Sequence, residues 1–290
     1  MATSIAHLGP SGTYAESAAL ACAQLFSTQT GEEYILCPYP SIIQTIYAVA
    51  NQQTRLGVVP VENSIEGGVG ATLDTLWQLD TLQIQQALVL PISHALLSCA
   101  SSLGTIQTVY SHPQALAQCQ GWLTKYLPTA QLIPTNSTTE ALQFLNQSST
   151  IAAIAPQRAA QLYNLPVLAY PINDHPDNCT RFWVLSLDSS SVGSHTSLAF
   201  SIPANVPGRL SKRYRYLPNA TSTSVGLNLA QPNDRWAIIS FVDIEASLQS
   251  DAVQSALLEL QHETESLKVF GSYTIQTVDL SLLFASQQQG

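Results

Sequence analysis

The chain has 290 residues, 46% of them hydrophobic, so it can build substantial cores, and about two domains are expected from roughly 150 residues per domain. Only 10% are charged and the net charge is −9, which excludes the cationic surface that nucleic-acid binding needs. The cysteines at 22, 37, 99, 119 and 179 form no CxxC pair and no zinc pattern, so reduced thiols in a cytoplasmic protein are expected. Met1-Ala2-Thr3-Ser4-Ile5 lacks the basic start of an export signal, and no 18-residue apolar run predicts a membrane span.

In chain order, residues 4–8 read as a short strand. Gly9-Pro10-Ser11-Gly12-Thr13 then turns into a helix from Tyr14. A strand, a glycine turn and a helix start together offer backbone N–H groups to an anion, with an ordinary βα turn as the competing reading. Residues 34–38 predict a strand, and Ser41 caps a helix carrying Ile42, Ile46 and Val49.

Leu56-Gly57-Val58-Val59-Pro60-Val61 reads as a buried strand that opens into Glu62-Asn63-Ser64-Ile65-Glu66-Gly67-Gly68, followed by a helix over about 72–79. Asn63 and Ser64 fall at the carboxyl end of that strand, where open α/β sheets bind ligands. Residues 88–97 are extended, with His94 read as a satisfied core histidine rather than a ligand. Val109-Tyr110-Ser111 ends in His112-Pro113-Gln114, with a helix from Ala115. Leu132-Ile133-Pro134 precedes a helix through Leu142 and Leu145 capped by Ser137 or Thr138. A strand at 152–155, a helix at 158–163 and an extended stretch at 167–170 follow.

This alternation of strand and helix predicts a parallel α/β arrangement, with 83–170 as a second lobe and a cleft between polar turns. It delivers Asn178-Cys179-Thr180-Arg181-Phe182, a polar cluster feeding an apolar strand. Before residue 188 the cations are Arg55, Lys125, Arg158 and Arg181. Arg181 alone among them lies in such a cluster, so a small organic anion is expected to rely on it and on neutral donors. Glu62, Glu66, Asp174 and Asp177 are the candidate carboxylate bases.

Residues 188–194 read as a Ser/Gly linker. Beyond it, a strand (196–202), a helix (207–217), two strands (221–229 and 236–243), a helix (248–263) and a strand (266–273) give the βαββαβ order of a ferredoxin-like domain. Arg209, Lys212, Arg213 and Arg215 read as a solvated face of its first helix.

Five stretches in order, around Gly9–Tyr14, Val59–Gly67, Ser111–Leu116, Ser137–Ala141 and Asn178–Phe182, resemble the motifs of the prephenate dehydratase family. The tail, with Phe241-Val242-Asp243-Ile244-Glu245, is similar to its ACT regulatory domain. The resemblance implies a two-lobed, periplasmic-binding-protein-like catalytic domain over 1–188 and a ferredoxin-like ACT domain over 195–280. It implies conversion of prephenate to phenylpyruvate with loss of CO2 and water, with no metal or redox cofactor.

Catalytic roles then fall to Thr180, Asn63, Gln114 and Ser64, with Thr180 donating to the departing hydroxyl. Substrate contacts fall to Arg181, Thr13, Gly12, Ser11, Glu62, Gly67, Ser111, His112 and Phe182. An L-phenylalanine effector site falls to Pro207, Gly208, Leu210, Asn228 and Leu229, although Leu229-Ala230-Gln231-Pro232 stands where the family has Glu-Ser-Arg-Pro. A homodimer or homotetramer is implied as well. Competing readings are an arogenate dehydratase, a non-catalytic two-lobed binding protein, and a hydrolase built on Cys179 with His112 or His175.

Overall fold

A computed structural model describes residues 2–203, 220–230, 236–280 and 283. The chain divides into two compact units: Met1–Leu8, Cys22–Val89 and Thr180–Thr277 form the first, and Gly9–Ala21, Leu90–Cys179 and Val278–Gly290 the second.

The first unit holds two sheets. In the larger, β1 (Thr3–Leu8) pairs in parallel with β2 (Tyr34–Tyr39) and β3 (Leu56–Asn63). β3 carries a short hairpin with β4 (Gly67–Gly68), and its other edge takes β11 (Cys179–Ser186) antiparallel, with β5 (Gln83–Pro91) beyond. The parallel arrangement expected from strand–helix alternation holds for β1, β2 and β3, and β11 makes the sheet mixed. β11 enters the sheet antiparallel to β3, a neighbour that needs no crossover helix.

Helix α1 (Tyr14–Thr30) follows β1. Helix α2 (Ile42–Ala50) starts where the Ser41 side chain accepts from Gln44 N, as the cap signal predicts. It lies so close to β3 that a Cβ on Gly57 would meet Val49 Cγ2 at 2.6 Å. Helix α3 (Gly70–Gln78) begins two residues before its predicted start.

The smaller sheet has the order β13 (Ala220–Ala230), β14 (Trp236–Ile244), β12 (His195–Pro203) and β15 (Ser266–Tyr273), all antiparallel. This is the strand order of the expected βαββαβ plan. Period-2 alternation sorts its side chains: Leu198, Phe200, Val242 and Ile244 pack with Val253 and Leu260 of the final helix (Asp251–Glu263), while Ala199, Ile239, Phe241, Phe270 and Tyr273 join one core with Val59, Val61, Leu73, Trp183 and Leu185. That helix starts at Asp251 rather than 248, because the Ser250 side chain accepts from Val253 N and sets the cap.

The linker after β11 is strapped down. Ser190 Oγ donates to Ser272 O at 2.5 Å, Ser272 N donates to Ser190 O at 2.9 Å, and Arg55 pairs with Asp188 at 2.9 Å. β16 (Ile275–Thr277) then returns to add a parallel edge strand to β5. The expected helix over 207–217 and its basic cluster lie outside the described residues. So do Pro207, Gly208 and Leu210, while Asn228 and Leu229 are placed on β13 by their backbone.

The second unit is built on a five-stranded sheet of order β10 (Val167–Ala169), β6 (His94–Leu97), β9 (Ile151–Pro156), β7 (Thr108–Ser111) and β8 (Gln131–Pro134), again mixed. Leu96, Val109, Ala152 and Ile154 pack on one face with Leu116 and Leu123, and Ala95, Leu97, Ala153 and Ala155 on the other with Leu142 and Ala159. These contacts come from helices α4 (Pro113–Gln118), α5 (Gln120–Tyr126) and α6 (Gln157–Leu162) and from a short 3-10 turn. The helix expected at Ser137 or Thr138 is that 3-10 turn, Glu140–Phe144. Ser137 Oγ accepts from Glu140 N, while Glu140 Oε2 accepts from Asn136 N, so local side-chain bonds tighten the segment. Among the described residues no helix is long and apolar enough to cross a membrane.

Candidate active site

β3 is a run of buried residues interrupted by Pro60, which has no N–H for a ladder. The pairing of β11 with β3 shifts register there: Phe182 faces Pro60, but Arg181 faces Glu62 and Thr180 faces Asn63. The irregularity sets the last two rungs apart from the rest of the sheet, and four of the sequence-predicted residues meet on them.

Asn63 Nδ2 donates to Thr180 Oγ1 at 2.9 Å, and both side chains are buried. The carboxamide orientation follows from its other end, where Oδ1 accepts from Ile65 N at 3.0 Å and Glu66 N at 3.1 Å. Two backbone donors demand an oxygen, so the nitrogen must face Thr180. Thr180 Oγ1 is thereby an acceptor towards Asn63, and its own proton is directed elsewhere. Gly67 supports this turn from a φ of +83° and pairs with Asn63 in the short hairpin, and Ser64 sits exposed at the turn.

Arg181, expected to bind a substrate carboxylate, is paired with two carboxylates of the protein itself. Its Nη2 lies 2.9 Å from Glu62 Oε2 and 2.5 Å from Asp243 Oδ2 of β14. Burial alone would lower the guanidinium pKa, but the charges of Asp243 and Glu62 oppose this and hold the group charged. One cation flanked by two carboxylates leaves a local excess of negative charge, which opposes a third carboxylate. Phe182, expected against substrate, is 2% exposed and belongs to the core.

Sequence reading missed Asp243, which is 5% exposed. Its Oδ1 accepts from Ser197 Oγ and, at 3.3 Å, from the Tyr273 hydroxyl, which contacts Ser197 Oγ at 2.6 Å. Burial first, and the Asp243 charge second, push the Tyr273 phenol up, so it stays protonated. A signal was available: Asp243 shares the strand parity of Ile239 and Phe241, and a charge on a buried face needs a partner.

The remaining predicted residues lie in the second unit. Gly12 has a φ of +86°, which favours glycine, and a Cβ there would pack tightly on Thr139, Ala159 and Tyr163 at 3.1 to 3.3 Å. Its N–H is not left for an anion: it donates to Glu16 Oε2 at 2.7 Å, while Glu16 N donates to Thr13 Oγ1 at 3.3 Å. Thr13-x-x-Glu16 is a variant of the capping box. Arg158, passed over in sequence, lies 3.9 Å from the same Glu16 oxygen. Ser11 O accepts from the Tyr163 hydroxyl at 3.3 Å.

Ser111, also expected at substrate, is fully buried and donates to Ile154 O at 2.6 Å. His112 caps α4, its Nδ1 accepting from Gln114 N, and Gln114 is half-buried on the first turn. Asp174, a candidate base, accepts from Gly121 N and Trp122 N at 2.7 and 2.8 Å and so caps α5. His94 proves a satisfied core histidine: Nε2 bonds Gln118 Oε1 at 3.0 Å, and that oxygen also accepts from Asn178 Nδ2 at 3.0 Å. Burial holds the His94 pKa down, with the Gln118 bond a smaller opposing effect. Burial also pushes the Cys22 and Cys119 thiols up, leaving them poor nucleophiles.

A sequence model described as prephenate dehydratase matches residues 5–190. A bifunctional chorismate mutase/prephenate dehydratase from Aquifex aeolicus is 36% identical over 93% of this chain and 73% of its own. A prephenate dehydratase from Lactococcus lactis is 36% identical over 72% of this chain and 74% of its own. Among solved structures, the prephenate dehydratase of Arthrobacter aurescens in complex with L-Phe superposes with a TM-score of 0.78 at 26% identity, covering 99% of this chain and 97% of that one. The sequence model over most of the chain and these relatives agree: the chain belongs to the prephenate dehydratase family.

Proposed function

We propose that the protein converts prephenate to phenylpyruvate in L-phenylalanine biosynthesis, with Thr180 as the group that meets the departing hydroxyl. The observation that carries this reading is the Asn63–Thr180 bond. Because Asn63 donates, the Thr180 proton is directed away from it, which suits a donor to the departing hydroxyl.

In the reaction the bond from ring carbon to carboxylate breaks and CO2 leaves. Its electron pair enters the ring as the C–O bond to the hydroxyl breaks. The hydroxyl takes one proton and departs as water, and the ring becomes aromatic. A neutral hydroxyl donor suits this step, because an ionised carboxylate beside the substrate carboxylate would repel it.

Ser64 and Gln114 keep their orienting roles in this reading, and Thr13, Ser11 and His112 their substrate contacts. Arg181, with Glu62, fixes the strand rather than the substrate. Residues 1–188 form the catalytic domain and 195–280 the ACT domain, in a cytoplasmic homodimer or homotetramer. L-phenylalanine, which the Arthrobacter aurescens relative binds, is the proposed effector; calorimetry showing no heat with L-phenylalanine would remove it.

The test is to incubate purified protein with prephenate at neutral pH and follow phenylpyruvate, with Thr180→Ala alongside. Product from the wild type and at least a hundredfold less from folded Thr180→Ala is expected. Turnover of arogenate instead would shift the substrate, and full activity in Thr180→Ala would end the role given to Thr180.

A further inference from the structure

We propose that Asp243 is a positioning residue for Thr180, acting through Arg181, so that a strand of the C-terminal sheet sets the geometry of the reacting hydroxyl. The inference rests on the role of Thr180 given above.

Strand alternation on β14 places Ile239, Phe241 and Asp243 on the face that shares a core with Val59, Val61 and Trp183. Two of these positions are apolar. The third brings a carboxylate into the same buried layer, where an unpaired charge is costly. Its compensation is specific. Ser197 and Tyr273 hold Oδ1 from β12 and β15, and Arg181 holds Oδ2 at 2.5 Å from β11. Replacing such an ion pair with apolar side chains is often neutral or stabilising, so the pair is weak evidence for a stability role. A geometric role accounts for it better.

The geometry shows what needs holding. Arg181 directly follows Thr180, and the two occupy the rungs facing Glu62 and Asn63. The register shift at Pro60 cuts these rungs off from the regular pairing of 182–185 with 57–60. Backbone pairing therefore constrains Thr180 and Arg181 less than the residues beyond the shift. The side chain of Arg181, clamped by Glu62 on one side and Asp243 on the other, supplies the missing constraint. A reacting group displaced by even 1 Å loses on the order of a hundredfold in rate, so a small rotation of this end of β11 is enough to matter.

The experiment uses the full chain. Asp243→Asn and Arg181→Gln are made singly and together, and kcat and KM for prephenate are read beside thermal unfolding. The expected result for Asp243→Asn is a kcat lowered about tenfold or more with KM within twofold. In the Arg181→Gln background the same change moves kcat less than twofold, because Asp243 acts through the residue already removed. An unchanged kcat in Asp243→Asn, or an equal further loss in the Arg181→Gln background, overturns the proposal.

Asp243→Asn leaves the half-buried Arg181 with one partner fewer. If that variant does not fold, the double variant, which removes both charges, is compared with Arg181→Gln alone under the same criterion. The Asn63 side-chain amide NMR signal gives a readout independent of turnover. It shifts in Asp243→Asn and stays in place in an Asp251→Asn control; an unmoved signal in both overturns the proposal. Failure of the Thr180 role appears separately, as activity kept in Thr180→Ala.

Discussion

The Asn63 carboxamide is pinned at its oxygen by two backbone amides and gives its nitrogen to Thr180 Oγ1 at 2.9 Å. One turn residue thus decides the direction of one hydroxyl. Asn63→Asp keeps size and shape but turns the donor into an acceptor. The Thr180 proton is then drawn towards the introduced carboxylate and away from substrate. A kcat about a hundredfold lower is expected, with the unfolding midpoint within a few degrees of wild type. Retention of kcat within a factor of three would show that Thr180 does not need this orientation.

Much of this site could be read in sequence because its signals are local. Leu56 to Val61 followed by Glu62-Asn63-Ser64 announces a buried strand ending in a polar turn, and β3 ends at Asn63. Thr180 and Arg181 lie on a strand, as the apolar run after them suggests. The partner of Arg181 could not be read the same way, since Asp243 lies far along the chain and only the packing of two sheets brings them together. The strand β16 has three residues, too few for an alternation to register, and exists through its pairing with β5. Gly12 carries both signals at once. The glycine turn was legible, but Glu16 captures the N–H that an anion was expected to take.

Gly57 marks the closest approach of α2 to β3. An alanine Cβ there would sit 2.6 Å from Val49 Cγ2, where both residues are fully or almost fully buried. Overpacking of this kind costs about 1–3 kcal/mol. Gly57→Ala is expected to lower the unfolding free energy by that amount, read from the denaturant midpoint at unchanged m-value. Gly57→Ala with Val49→Ala should recover part of the loss, since the clashing methyl is gone. A fully stable single variant would show that α2 shifts freely on the sheet.

Gln118 Oε1 serves two buried donors, His94 Nε2 and Asn178 Nδ2. Gln118→Leu fills similar space but leaves both without that acceptor. A buried donor that loses its acceptor costs about 1–3 kcal/mol, so a destabilisation of about 2 kcal/mol or more is expected in urea unfolding. Gln118→Glu retains an acceptor and should lose less. Equal losses in the two variants would mean that packing, not the shared oxygen, matters at this position.

The same network gives the stability curve its dependence on acid. Burial lowers the His94 pKa from its ordinary value, so the folded protein holds this ring neutral while the unfolded chain protonates it near pH 6.5. The unfolded state therefore binds more protons as the pH falls. Stability from His94 is whole above about pH 6.5 and drains as the pH drops towards the folded value, with a slope of at most about 1.4 kcal/mol per pH unit for one proton. Protonation would also place a second N–H at Nδ1, beside a Tyr14 hydroxyl that already donates to Ser93 O at 2.7 Å. His94→Gln removes the titration while leaving an amide that can donate to Gln118. It is expected to lower stability at pH 7.5 yet to show a shallower fall between pH 7 and 5 than the wild type. Parallel curves for the two proteins would assign the acid sensitivity to other groups and leave His94 without a part in it.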